Sequence, residues 1–168
     1  MPGKVASASE RIETFIGGYE KIMPSNNFDM SFSRAVSVVS ASTDAQNGTA
    51  KAVFQFTIPR EYINNPETGG EIHGGAIATF FDNLTSATLL SSTRYFGQGV
   101  TRNMNVTYFR PPRVGEQVVI EAEVLQIGKR FATVQGFMKR ESDGAVLAMC
   151  IHEKFNPEGP GPKIFSSL

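Results

Sequence analysis

Apolar residues recur at helical spacing in one long segment near the middle of the chain, from about Gly74 to Ser92. At about 100° per residue, one stripe of this segment carries bulky apolar side chains and a threonine: Ile77, Phe80, Phe81, Leu84 and Thr88. An amphipathic helix buries such a stripe, so the pattern predicts a helix whose apolar face rests on a sheet.

Other segments show the alternation or the β-branched composition that is typical of strands. The predicted strands run over about 31–42, 50–58, 101–109, 117–127, 131–140 and 145–155. Turn sequences such as Asn47-Gly48 and Ser142-Asp143-Gly144 join neighbouring strands, and short hairpins force antiparallel pairing. The chain is therefore predicted to be α+β, with one antiparallel sheet and a long helix packed on it.

The two ends of the chain differ from this central pattern. Ser7-x-x-Glu10 fits a capping box at the start of an N-terminal helix, which Gly17-Gly18 weaken and Met23-Pro24 end. The residues after Asn156 have no periodicity. We expect a helical extension over 1–30, the main domain over 31–156 and a flexible tail over 157–168.

Composition and charge remove several classes of function. The 168 residues contain 16 basic and 16 acidic side chains, so the zero net charge gives no support for nucleic-acid or membrane-surface binding. One cysteine and two histidines are too few for a disulfide or a structural zinc site, and we expect no metal. No apolar run is long enough to span a membrane, so we expect an intracellular, cytoplasmic protein, with mitochondrial and peroxisomal alternatives left open.

Asp82 is the first candidate for chemistry. It is the only charged residue between Ala76 and Ser92, and on the predicted helix it shares a face with small residues such as Ala78 and Ser86. Such a face lets a second surface approach closely, most simply another subunit. The alternative is that Asp82 hydrogen-bonds a serine or threonine and only fixes the helix. Cys150 and His152 fall in a predicted strand, and we assign both to the core.

The start of the same helix is the second candidate. His73-Gly74-Gly75 follows a glycine-containing loop, and glycines let the backbone approach a ligand closely. Free N–H groups of a first helical turn favour negative charge, as an oxyanion site requires. The alternative is a permissive junction between loop and helix, with His73 as a cap or a core histidine.

The segment from Ile72 to Asn83 resembles the central helix of hotdog-fold acyl-coenzyme A thioesterases, in the branch of phenylacetyl-CoA thioesterases and thioesterase superfamily member 2. Further segments fit the same branch in order: 99–101, 103–108, Arg110-Pro111, 114–116, 127–130 and 142–148. The resemblance implies a hotdog fold, an antiparallel sheet wrapped around one long central helix, here with an extra N-terminal helix. It also implies a homo-oligomer, a dimer or a dimer of dimers, whose active sites lie between subunits.

The resemblance further implies hydrolysis of acyl-CoA to free acid and coenzyme A, with no cofactor beyond the coenzyme A of the substrate. Carried over residue by residue, Gly74 presents its backbone N–H to the thioester oxygen, and Asp82 acts as general base or nucleophile. His73 helps to hold the loop and the thiol end. Thr101 stands where the family usually has serine and assists the acid.

The remaining predicted contacts bind the substrate. Glu67 stands where the family commonly has asparagine, so either Glu67 or a shifted Asn65 is expected at that place, beside Gly75. Four basic residues are candidates for the coenzyme A phosphates: Arg110, Arg113, Lys129 and Arg130.

Two other functions stay open at this point. A non-catalytic acyl-CoA-binding hotdog module would bind the same ligand without hydrolysis, and the departure at Glu67 favours it. A dehydratase or hydratase on the same scaffold is less favoured, since such sites use an acid–histidine pair on one substrate.

Overall fold

The computed structural model describes residues 6–22, 30–65, 67, 70–92 and 99–157. Three stretches form α-helices: α1 (Ala8–Ile22), α2 (Met30–Ala35) and α3 (Gly74–Leu89); a 3₁₀ turn covers Arg60–Tyr62. The strands are β1 (Ser37–Thr43), β2 (Ala50–Thr57), β3 (Val100–Tyr108), β4 (Gln117–Ile127), β5 (Phe131–Arg140) and β6 (Val146–Phe155). Within these described ranges, no helix is both long and apolar enough to cross a membrane.

The strands form one sheet in the order β1-β2-β4-β5-β6-β3, and each neighbouring pair is antiparallel. Strand β3 therefore leaves its sequence neighbours and lies at the edge beside β6, with Val100 opposite Phe155 and Tyr108 opposite Ala148. This arrangement confirms the predicted α+β class with one antiparallel sheet.

Helix α3 packs across one face of the sheet, as its pattern predicts. The predicted stripe is buried throughout, from Ile77 to Thr88. Gly136, in the middle of β5, makes close packing possible, because a Cβ there would lie 3.0 Å from Phe81 Cδ1 and 3.3 Å from Thr85 Cγ2. The helix can therefore approach the strands that carry the site.

Two sets of hydrogen bonds stabilise the N-terminal helix α1. One set caps its first turn, and the other joins it to the residues that follow α3. The predicted capping box forms, with Ser7 N–H donating to Glu10 Oε2 at 2.6 Å and Glu10 N–H donating to Ser7 Oγ at 3.2 Å. The Arg11 guanidinium donates to the carbonyl oxygens of Leu90 and Ser91. These contacts satisfy carbonyls at the end of α3, where the helix stops at Leu89 rather than continuing to Ser92.

The prediction of a strand over 31–42 is wrong for its first residues. Residues 30–35 form the short helix α2, and the strand begins only at Ser37. The fully buried Phe32 ring stacks on Phe80 with 4.4 Å between centroids, and this contact with α3 overrides the local strand pattern. The predicted helix end at Met23-Pro24 lies outside the described residues, as does the predicted tail beyond Pro157.

Candidate active site

The carboxylate of Asp82 meets side chains from two strands. Thr101 Oγ1, on β3, donates to Asp82 Oδ1 at 2.7 Å, and His152 Nε2, on β6, lies 3.3 Å from the same oxygen. The Asp82 side chain is still 42% exposed. The carboxylate is thus held through one oxygen and open to solvent, which is compatible with a base or a nucleophile.

His152 connects this carboxylate to the core. Its ring is fully buried, with Nε2 3.0 Å from Thr101 Oγ1 and Nδ1 2.6 Å from Thr85 Oγ1. Burial, together with the nearby charge of Lys154, lowers the pKa of His152 to about 4, although Asp82 acts in the opposite direction. The imidazole is therefore neutral at physiological pH.

Two further groups lie near Asp82 on the helix-facing side of β6. Lys154 is buried and its Nζ donates to Ser86 Oγ at 2.7 Å; burial lowers its pKa, and Asp82 opposes that shift. Burial, and then the Asp82 charge, raise the pKa of Cys150 to about 12. Cys150 is thus a buried, protonated thiol, as predicted, and is not a nucleophile.

The start of α3 has the geometry of a capped helix. His73 is extended at φ −67° and ψ 135°, and its Nδ1 accepts the Gly75 N–H at 2.9 Å. A Cβ on Gly75 would lie 2.9 Å from that nitrogen, so the cap requires glycine there. Among the described residues, no acceptor is bonded to the Gly74 N–H, which stays available to a ligand.

The loop before the helix is a small hairpin. Ile63 and Ile72 form an antiparallel bridge, and Asn65 Oδ1 accepts the Glu67 N–H at 2.9 Å. Both Asn65 and Glu67 are exposed. The Asn65 carbonyl oxygen thus stabilises the loop itself, and the described contacts do not bring Asn65 or Glu67 to Asp82.

The structure separates the four predicted phosphate-binding cations into two pairs. Lys129 and Arg130 precede Phe131, which lies beside Phe155 and hence near the start of β3 at Val100. Arg110 and Arg113 follow the other end of β3. Within one chain these cations therefore do not form a single cluster.

Gly74 and Asp82 are also apart within one chain. They lie eight residues apart on α3, or about 12 Å along its axis. Gly74 contacts the end of β3, where the Tyr108 hydroxyl donates to Gly74 O at 3.1 Å, whereas Asp82 contacts Thr101 at its beginning. The structure therefore brings together Asp82 with Thr101, and His73 with Gly74 and Gly75, as two separate groups.

The sequence analysis assigned His152 to the core, which its full burial confirms, but it missed the contact of His152 with Asp82 and gave no role to Lys154 or Tyr108. The period-two burial of β6 places His152 and Lys154 on the buried face with Cys150, so two ionisable residues alternate into the core. That alternation was a readable signal, because a buried histidine or lysine requires polar partners. The partners themselves come from β3 and α3, which the local pattern does not reveal.

Comparisons with known proteins identify the family of this chain. Residues 69–147 match the thioesterase superfamily. Human acyl-coenzyme A thioesterase 13 is 34% identical over 104 residues, which cover 62% of this chain and 71% of the human protein.

Solved structures share the fold. Zebrafish thioesterase superfamily member 2 superposes with a TM-score of 0.73 at 25% identity, covering 90% of this chain and 99% of that chain. A hypothetical thioesterase of Streptococcus pneumoniae, solved with coenzyme A, has a TM-score of 0.60 at 16% identity and covers 73% of this chain and 85% of that one. The predicted hotdog fold and the predicted family are confirmed: the chain belongs to the thioesterase superfamily.

Proposed function

We propose that this protein hydrolyses acyl-coenzyme A thioesters, with Asp82 as general base or nucleophile and the Gly74 N–H polarising the thioester carbonyl. Membership in the thioesterase superfamily makes the chain a thioester hydrolase. The acyl-CoA substrate is supported by the similarity to human acyl-coenzyme A thioesterase 13. The observation that carries the proposal is the accessible Asp82 carboxylate, which accepts a hydrogen bond from Thr101. Among the described residues, no arginine forms an ion pair with it.

The hydrolysis requires a carboxylate, a backbone N–H that faces the thioester oxygen, and water. Water, with its proton accepted by the carboxylate, adds to the thioester carbon, and the carbon–sulfur bond then breaks to give the carboxylic acid and the thiol of coenzyme A. If Asp82 instead attacks directly, an anhydride forms with loss of the thiolate, and water then hydrolyses it. In both routes a backbone N–H stabilises the oxyanion, and a thiolate leaves readily.

Gly74 and Asp82 lie about 12 Å apart in one chain, but they would act together if Gly74 of one chain met Asp82 of a second copy. Among the described strands, β3 has a neighbour on one side only, and its residues are largely exposed. Antiparallel pairing of β3 from two chains would set the Thr101 end of one against the Tyr108 end of the other. Asp82 of one copy would then lie on the side of Gly74 of the other.

The same pairing would reunite the basic residues. Arg110 follows the end of β3, whereas Lys129 and Arg130 lie beside its start. In the paired assembly, Arg110 of one copy approaches Lys129 and Arg130 of the other, so the cations could meet one anionic coenzyme A between them. This gives the separated pairs a shared role.

One observation favours the non-catalytic alternative. Glu67, at the place of the family asparagine, is exposed at the tip of its hairpin and brings no described contact to Gly74. A protein that binds acyl-CoA without hydrolysis would show saturable binding but no thiol release.

The test is a free-thiol release assay over acetyl, medium-chain, long-chain and aryl acyl-CoAs. Asp82→Asn should lower kcat by about 10²- to 10⁴-fold, because it removes the basic oxygen with little change in shape. Glu153→Gln is the matched control, since its side chain lies on the opposite face of β6 from His152. Binding without thiol release by the wild type would establish the alternative, and a fully active Asp82→Asn would reject the mechanism.

A further inference from the structure

The proposed mechanism uses none of the three polar or ionisable groups on the buried face of β6, and of these His152 contacts the Asp82 carboxylate directly. His152 has no exposed surface, yet its two ring nitrogens contact three hydroxyl or carboxylate groups from α3 and β3. A histidine that only filled the core would need no contact with an accessible carboxylate.

Counting protons on the Asp82 side of the ring favours one direction for these hydrogen bonds. Thr101 has one hydroxyl proton, and Asp82 Oδ1 accepts it at 2.7 Å. A bare His152 Nε2 would compete for that proton at 3.0 Å and would set its lone pair against the carboxylate at 3.3 Å. A protonated Nε2 removes both conflicts, because it donates to Thr101 Oγ1, which in turn donates to Asp82.

The other side of the ring accommodates this tautomer. Nδ1 is then an acceptor, and the Thr85 hydroxyl can donate to it at 2.6 Å. The Thr85 hydroxyl also donates to the Phe81 carbonyl oxygen at 2.6 Å, so in this tautomer its one proton is shared between that oxygen and Nδ1. Nδ1 therefore has a donor, and the Phe81 oxygen keeps the helical N–H of Thr85 as a second one.

We infer that His152 is a positioning residue for Asp82: its Nε2–H, acting through the Thr101 hydroxyl, fixes Oδ1 and leaves Oδ2 to meet the water or the thioester. This inference rests on the proposed function, because it assumes that Asp82 does the chemistry. No described hydrogen bond uses Oδ2. Holding one oxygen orients the carboxylate before substrate arrives, which is where positioning contributes to rate.

Burial of the ring, and then the charge of Lys154, favour the neutral form that this network requires. Asp82 on α3 attracts a proton to the ring, whereas Lys154, two residues along β6, repels one, and Cys150 on the same strand is a neutral thiol. The Lys154 ammonium donates to Ser86 Oγ, and the Asp82 charge opposes the lowering of the Lys154 pKa by burial.

Two substitutions of His152 distinguish the role of Nε2 from the role of Nδ1. His152→Gln can place an amide N–H near the position of Nε2, whereas His152→Asn reaches only the position of Nδ1. We expect kcat to fall by about 10- to 100-fold in His152→Asn with KM nearly unchanged, and by about threefold or less in His152→Gln. Glu153→Gln, on the opposite face of the strand, should match the wild type.

Nitrogen NMR of the wild-type imidazoles supplies a second readout, which does not depend on catalytic rate. The His152 resonances should show a protonated Nε2 and an unprotonated Nδ1 at neutral pH, with the His152→Gln spectrum identifying them against His73, the only other histidine. A protonated Nδ1, or equal rates for His152→Asn and the wild type, would overturn the inference. Absence of thiol release by the wild type with the expected tautomer would instead reject the proposed function.

Discussion

The two functional regions of α3 are built by different means. At Asp82, side chains from α3, β3 and β6 converge on one carboxylate oxygen. At Gly74, the proposed functional group is a backbone N–H that is left open because the His73 side chain accepts the N–H of Gly75 instead. An acid must be oriented by other side chains, whereas an oxyanion donor requires only a helix start of the right shape. The two regions should therefore respond to different kinds of substitution.

The largest effect that sets the two regions apart should come from Gly74→Pro. Proline lacks the N–H but suits the first position of a helix, and the extended His73 is the conformation that precedes proline. We expect kcat to fall by about 10²- to 10³-fold, as for loss of one oxyanion donor.

Gly74→Ala is the matched control for Gly74→Pro. It keeps the N–H and adds a Cβ that would lie 3.6 Å from Tyr108 Cε1, an ordinary contact. Thiol release and circular dichroism on both variants make the comparison. A folded Gly74→Pro with wild-type kcat would assign the polarising group elsewhere.

The same contrast explains what the sequence could predict. The capping box at Ser7, the strands β4 and β5 and the buried stripe of α3 depend on local periodicity, and the structure confirms them. The helix start at His73 and Gly74 is also local, so its motif was readable. The contact of His152 with Asp82 joins residues 70 positions apart, and only the placement of β3 and β6 in the sheet creates it.

Helix α2 shows the converse limit. The strand predicted over 31–42 takes its β-branched residues from Val36 onward, whereas the residues before Val36 form a helix. Phe32 of this helix stacks on Phe80 of α3, a tertiary contact that the local pattern does not show.

Mixing two inactive variants tests whether the regions act across chains. In a two-fold dimer, an Asp82→Asn chain paired with a Gly74→Pro chain contains one site with both groups intact and one with neither. Random exchange after co-refolding or co-expression should therefore restore about a quarter of wild-type activity. Each variant mixed with itself is the control. Recovery no greater than the sum of the parents would place both groups in a single chain.

Acid sensitivity should belong to the Asp82 region. The pKa of His152 is lowered from 6.5 to about 4, so between these values the unfolded chain binds more protons and the folded state loses stability as pH falls. The loss is about 3 kcal/mol over that window, for one buried histidine. Urea unfolding at pH 7 and at successive steps toward pH 4 measures it.

His152→Gln should flatten that dependence, because it removes the titrating ring. His73→Asn is the control at the other end of α3, since asparagine is a good helix cap, and it should keep the wild-type slope. Equal slopes for His152→Gln and the wild type would mean that the acid sensitivity comes from other groups.

The smallest effect should come from the four predicted phosphate-binding cations, since we propose that they contact substrate equally before and during the reaction. Single substitutions of Lys129, Arg130, Arg110 or Arg113 by glutamine should raise KM by about three- to tenfold and leave kcat unchanged, as for loss of uniform binding. The effect should shrink with added salt, because exposed charges are screened. Lys21→Gln, exposed on α1, controls for net charge.

If pairs from the two ends of β3 bind one coenzyme A across two chains, Arg110→Gln combined with Arg130→Gln should multiply the two increases in KM. Unchanged KM in all four single variants would show that these cations do not bind coenzyme A. The proposal that cations from both ends of β3 meet one coenzyme A between two chains would then be wrong.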